Sequence, residues 1–233
     1  MVGPVAEGYF PVIEDSPFDA VPVARVAIAE EHRIGGTCVI RGCIPKKYLV
    51  YASHFSEELN IAQDYGWNIE NKSFNWQTLI ERKDHEIDRL NKLYIQTLEK
   101  TGVTMIQGRA VLTGPNSVQV VDDKQYTAER ILIAVGGWPH MPDVPGIEHA
   151  ISSNEALHLE QLPETIVIVG GGYIAVEFAG IFAGLGSKVT LIYRGKQILR
   201  GFDEDLSTQL TKEMRAKGID VRTETNVSAI KKS

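Results

Sequence analysis

At 233 residues the chain exceeds one average domain of about 150 residues and falls short of two. Its net charge of −6 lacks the basic excess of a polyanion binder, and two cysteines are too few for a disulfide-built scaffold. With 43% hydrophobic residues, no membrane-length apolar run and no charged-then-apolar leader, the sequence predicts a globular, cytoplasmic chain without nucleic-acid or membrane partners.

The first 25 residues hold Pro4, Pro11, Pro17 and Pro22 with Gly3 and Gly8, and read as an irregular lead-in. Residues 26–29 (Val-Ala-Ile-Ala) form a short buried strand that ends in Glu30 and Glu31. Apolar residues at helical spacing then mark two helices. One starts near Cys43 and carries Leu49, Ala52, Phe55 and Leu59. The other spans about 76–100 with Leu79, Ile87, Leu90, Tyr94 and Leu98 on one face, and its charged run 81–89 reads as the solvated side.

Three strand-like runs follow at 103–106, 117–121 and 130–135, and Gly136-Gly137-Trp138-Pro139 breaks the last. A proline-rich loop marks a boundary near 140–165. Beyond it, strands at 165–169, 188–193 and 219–222 alternate with helices at 173–185 and 203–217, which is the pattern of a doubly wound parallel sheet. The expected domains are the irregular segment 1–25, a first α/β unit over 26–145 and a second over 146–233, both incomplete.

Gly170-Gly171-Gly172-Tyr173-Ile174-Ala175 satisfies G-x-G-x-x-G/A between a predicted strand and a predicted helix. In that setting Gly170 allows the tight turn and Gly172 lets backbone approach a pyrophosphate. Ala175 keeps the helix close to the sheet, and the helix N-terminus offers free N–H groups. The same turn without a ligand is the plainer alternative. A reader of NAD carries an acid at the end of the next strand; here Arg194 stands there and Arg200 follows, which favours the 2′-phosphate of NADP over two unrelated surface arginines.

Cys38 and Cys43 are five residues apart, about 140° around a regular helix, so joining them needs irregular backbone, which Gly42 can provide. Pro45 belongs in a first helical turn. Thiols at a helix N-terminus beside Lys46 and Lys47 are favoured as reactive thiolates, and no further cysteine or clustered histidine completes a metal site. Two unremarkable buried thiols are the lesser alternative from spacing alone.

The stretch Gly35-Gly36-Thr37-Cys38-Val39-Ile40-Arg41-Gly42-Cys43-Ile44-Pro45-Lys46-Lys47 resembles the redox-active segment of the class I pyridine nucleotide–disulfide oxidoreductases. Among these it is most similar to the glutathione reductases, which carry the Lys-Lys pair. Ala134-Val135-Gly136-Gly137-Trp138-Pro139, the segment from Gly170 to Glu177, and Arg194 with Arg200 extend the likeness.

The resemblance implies two Rossmann-like three-layer domains, for FAD over 26–145 and NADP over 146–233. It implies electron flow from NADPH through FAD to a Cys38–Cys43 disulfide, with glutathione disulfide as substrate and a homodimer as the full-length assembly. Cys38 would exchange with substrate and Cys43 would face the flavin. Lys46 would lie near the flavin and pair with Glu177. Glu30, Gly36, Thr37 and Gly136 would contact FAD. Gly170, Gly171, Gly172, Ile174, Arg194 and Arg200 would hold NADPH, with Tyr173 covering the nicotinamide pocket. Tyr94 aligns with a substrate-contacting tyrosine.

Two family features are missing from this sequence: the first glycine motif, expected before Glu30, and the domain that brings a His-Pro catalytic acid. None of His32, His54, His85, His140, His149 and His158 precedes a proline. The expectation is that this chain by itself binds FAD weakly and turns over little.

Overall fold

The computed structural model describes residues 2–5, 25–120 and 124–232. They gather into two compact units, Met1–Gly42 with His85–Trp138 and Cys43–Asp84 with Pro139–Ser233.

In the first unit, β1 (Val2–Val5) pairs antiparallel with β2 (Ala27–Glu30), and β2 pairs parallel with β3 (Thr104–Gln107) in the order β1-β2-β3. The irregular reading of residues 1–25 is thereby corrected at 2–5. Pro4 lies in β1 at the edge of the sheet, where strands tolerate proline. The remainder of that segment, 6–24, lies outside the described residues.

A second, antiparallel sheet runs β4 (Ala110–Gly114), β5 (Ser117–Val120) and β6 (Lys124–Thr127). Its Val118 and Val120 join Ala29 and Ala128 in a small core. The strand expected at 130–135 is absent. Only Ile131 makes a single bridge, and Leu132, Ile133 and Val135 are exposed. An apolar run becomes a strand only where an edge receives its N–H and C=O groups, and no such partner stands there among the described residues.

In the second unit, β7 (Thr165–Val169), β8 (Lys188–Ile192) and β9 (Asp220–Arg222) form the expected parallel sheet in that order, in register Thr165↔Lys188 and Thr190↔Asp220. Around it pack α2 (Cys43–Ile61), the first residues of α3 (Trp76–Lys100), α4 (Ser153–Ala156), α5 (Tyr173–Gly184) and α6 (Glu204–Ala216). Leu49, Trp76, Phe178, Phe182, Leu191 and Ile198 are among the core side chains.

The expected helix at 203–217 is α6 with its two caps: the Asp203 carboxylate accepts from the N–H groups of Asp205 (2.9 Å) and Leu206 (3.2 Å), and Lys217 is the C-cap. The charged run 81–89 is not wholly solvated. Lys83 is fully buried; its ammonium donates to Leu157 O at 2.7 Å and pairs with Asp84 Oδ1 at 2.7 Å. A buried lysine persists because its charge is matched and its protons find acceptors.

Candidate functional site

The cysteine segment folds as two helices with a break. The first, α1 (Gly36–Arg41), carries Cys38 and ends at Gly42; Cys43 is the first residue of α2. A Cβ at position 42 would lie 2.6 Å from Thr37 O, so only glycine fits the break. Pro45 sits buried in the first turn of α2, where its missing N–H would have no helical partner in any case. Cys38 and Cys43 are both exposed.

On the next residue stretch, Lys46 Nζ of α2 donates to Glu177 Oε1 of α5 at 2.6 Å, with both side chains about one-third exposed. The two residues that the resemblance pairs are thus brought together. Exposure limits what such an ion pair adds to stability to about 0–1 kcal/mol, so its consequence is local charge placement. Cys43, Lys46, Lys47 and Glu177 share a cavity of about 600 Å³ walled by α2 and α5.

The glycine turn follows β7 directly and opens α5, and its glycines have separable reasons. Gly170 has φ +148°, a region barred to other residues without strain. Gly171 is closed off by its own protein: a Cβ there would stand 2.5 Å from Tyr193 Cδ1. Gly172 has φ −83° and nothing of the protein within 4 Å of a Cβ. Neither its conformation nor its neighbours demand glycine, which leaves close approach from outside. That opening, at the N-terminus of a twelve-residue helix, fits a pyrophosphate. Tyr173 and Ile174 are exposed beside it, and so are Arg194 and Arg200 after β8.

In the first unit, Glu30, Gly36, Thr37 and Gly136 line one small cavity of about 170 Å³, together with His32, Arg33 and Arg41. Glu30 is buried, and its carboxylate accepts the His32 N–H at 2.9 Å. Gly136 has φ +68° and open space beyond it. Glu30, Gly36 and Thr37 are thus joined by Gly136, about a hundred positions further on, in a volume that admits part of a dinucleotide. Tyr94 is exposed on α3.

Two groupings escaped the sequence reading. Trp138 stacks on His32, with ring centroids 6.2 Å apart, and Arg41 lies 4.7 Å over its indole. Tyr193 covers Gly171. Trp138 announced itself only as an aromatic in a glycine-proline break, and Tyr193 only as an aromatic beside Gly195.

The sequence model described as pyridine nucleotide-disulphide oxidoreductase matches residues 22–233. The chain is 50% identical over 207 residues to a glutathione reductase of Nostoc sp., covering 89% of this chain and 45% of that protein. It is 44% identical over 211 residues to a trypanothione reductase of Trypanosoma congolense, covering 84% and 43%. Among solved structures, the HOCl-induced flavoprotein disulfide reductase RclA from Escherichia coli superimposes with a TM-score of 0.76 at 29% identity, covering 88% of this chain and 45% of that one. The chain spans a little under half the length of these relatives, and within that span it belongs to the pyridine nucleotide-disulphide oxidoreductase family.

Proposed function

We propose that this chain is the cofactor-binding and thiol-bearing part of an NADPH-dependent flavoprotein disulfide reductase, with glutathione disulfide as substrate. The observation that carries the reading is Cys43, exposed at the first residue of α2 and one helical turn from Lys46 of the Lys46–Glu177 ion pair, with Cys38 exposed on α1 five residues earlier in the chain. Glutathione disulfide is preferred because glutathione reductase is the name of relatives 45–50% identical to this chain. The trypanothione reductase at 44% keeps trypanothione as the second reading.

In this reading Gly170–Gly172 and the α5 N-terminus bind the NADPH pyrophosphate, Arg194 and Arg200 bind its 2′-phosphate, and Tyr173 and Ile174 border the nicotinamide. Glu30, Gly36, Thr37 and Gly136 hold the part of FAD that the small cavity admits. FAD, when bound, supplies the two-electron relay between nicotinamide and the cysteine pair. Lys46, oriented by Glu177, places positive charge beside it.

The Cys38 thiolate attacks one sulfur of the substrate and displaces the first glutathione thiolate, which takes a proton. Cys43 then attacks Cys38, releases the second glutathione and leaves the Cys38–Cys43 disulfide to be reduced by the two electrons of NADPH. The domains are assigned as before: FAD over 26–145 and NADP over 146–233. Tyr94 belongs to the substrate side, the full-length assembly is a homodimer, and the chain works in the cytoplasm.

Thiol titration of the oxidised chain before and after borohydride tests the reading. A gain of about two thiols per chain is expected, since one disulfide releases two. No gain would overturn it.

A further inference from the structure

The segment after β8 is fastened to the glycine turn at several points. A Cβ at Gly171 would meet Tyr193 Cγ and Cδ1 at 2.5 Å, and one at Gly195 would meet Tyr193 Cε1 at 2.5 Å. The tyrosine ring therefore lies against two glycines twenty-four positions apart, one in each loop. Leu199 N donates to Gly171 O at 2.6 Å, and Leu199 holds φ +54°, an unfavourable backbone for a residue with a side chain. Behind the loop, Thr225 N donates to Tyr193 O at 3.1 Å and Glu224 N to Gly195 O at 2.9 Å. Ile198 is buried in the core.

Arg194 and Arg200 bracket this fastened stretch, both exposed and both next to a fastening residue. NADPH has a fixed span between its pyrophosphate and its 2′-phosphate, so a protein that reads both must fix the separation of the two subsites. Preorganised geometry limits the ordering a ligand must impose.

We propose that Tyr193 is a positioning residue for coenzyme choice: its ring, seated on Gly171 and Gly195, sets the arginine loop at the distance from the glycine turn that NADPH requires. This rests on the NADPH reading above. Gly171 accordingly lacks a side chain for the sake of this packing, whereas the open space at Gly172 is left to the pyrophosphate.

The test measures equilibrium dissociation constants of NADPH and NADH for the whole chain and its variants by coenzyme fluorescence, with circular dichroism as the folding check. The unaltered chain should prefer NADPH; equal affinity would overturn the NADPH reading and this inference with it. Y193A should reduce the preference about tenfold, mainly through NADPH, and Y193F, which keeps the ring, should restore it. A Y193A chain that retains folding and the full preference overturns the inference while leaving the NADPH reading intact. G171A should lose affinity for both coenzymes as the turn is pushed off the ring, and should lose less relative to its parent in the Y193A background. An equal loss in both backgrounds would show that the methyl group meets the ligand rather than Tyr193, and would overturn the seating argument. Should Y193A fail to fold, Y193L and the G195A substitution carry the same test, because a Cβ at 195 meets the same ring.

Discussion

In the proposed function, the two units face the same task, binding a dinucleotide, with unequal means. In the unit of Cys43–Asp84 and Pro139–Ser233, β7, the glycine turn and α5 follow one another without interruption, over a core that includes Phe178, Phe182, Leu191 and Ile198. In the unit of Met1–Gly42 and His85–Trp138, β2 delivers Glu30 and α1 delivers Thr37 to one cavity. No glycine turn leads into a helix before Glu30 among the described residues. The difference teaches that a strand–turn–helix gathers its ligand-facing groups from consecutive residues, whereas the small cavity gathers Glu30, Thr37 and Gly136 from distant parts of the chain.

The largest expected contrast is therefore between cofactors. Added NADPH should show saturable fluorescence changes with this chain, whereas FAD added at the same concentrations should show none. Saturable FAD binding would erase the contrast and assign a cradle to residues before Glu30.

Next in size is the core beneath the glycine turn. Phe182 is fully buried and stacks on both Trp76 and Phe178. Phe182→Ala should cost about 3–5 kcal/mol in urea unfolding and should abolish NADPH binding under conditions where the unaltered chain binds. Below that lies Arg194→Glu, which should weaken NADPH by about 1.5–3 kcal/mol and NADH little, because only the former offers a 2′-phosphate. Equal losses would remove the arginine from coenzyme choice.

The smallest expected effect is Asp203→Ala. Loss of its two N–H contacts should destabilise α6 by about 1 kcal/mol without changing coenzyme preference. A shift in preference would extend the arginine loop's support to this helix.

What could be read in advance follows the range of each determinant. The extent of α6, the start of α2 beside Pro45 and the strand-turn-helix at 165–184 are set by residues within a few positions, and all were legible. The run Leu132, Ile133 and Val135 has strand composition, but a strand also needs an edge supplied from elsewhere in the chain. Val2–Val5 erred the opposite way: Gly3 and Pro4 argued against a strand that the edge of a sheet tolerates. Lys83 looked solvated because its acceptor, Leu157 O, lies 74 positions away. Tyr193 looked incidental because the glycine it covers belongs to another loop. For the site, identities of the residues were legible where a motif named them, and their supports were not.

The three tryptophans make each unit separately visible. Trp76 is buried, donates its indole N–H to Leu159 O at 2.7 Å and stacks on Phe182. Trp138 is 67% exposed between His32 and Arg41, and Trp67 is 70% exposed. Indole emission from Trp76 therefore reports melting of the parallel-sheet unit. Trp138, beside the small cavity, reports events in the other, and acrylamide quenching distinguishes the sheltered ring from the two open ones. The chain thus carries one sheltered and two open intrinsic optical labels, readable without a dye or a bound coenzyme.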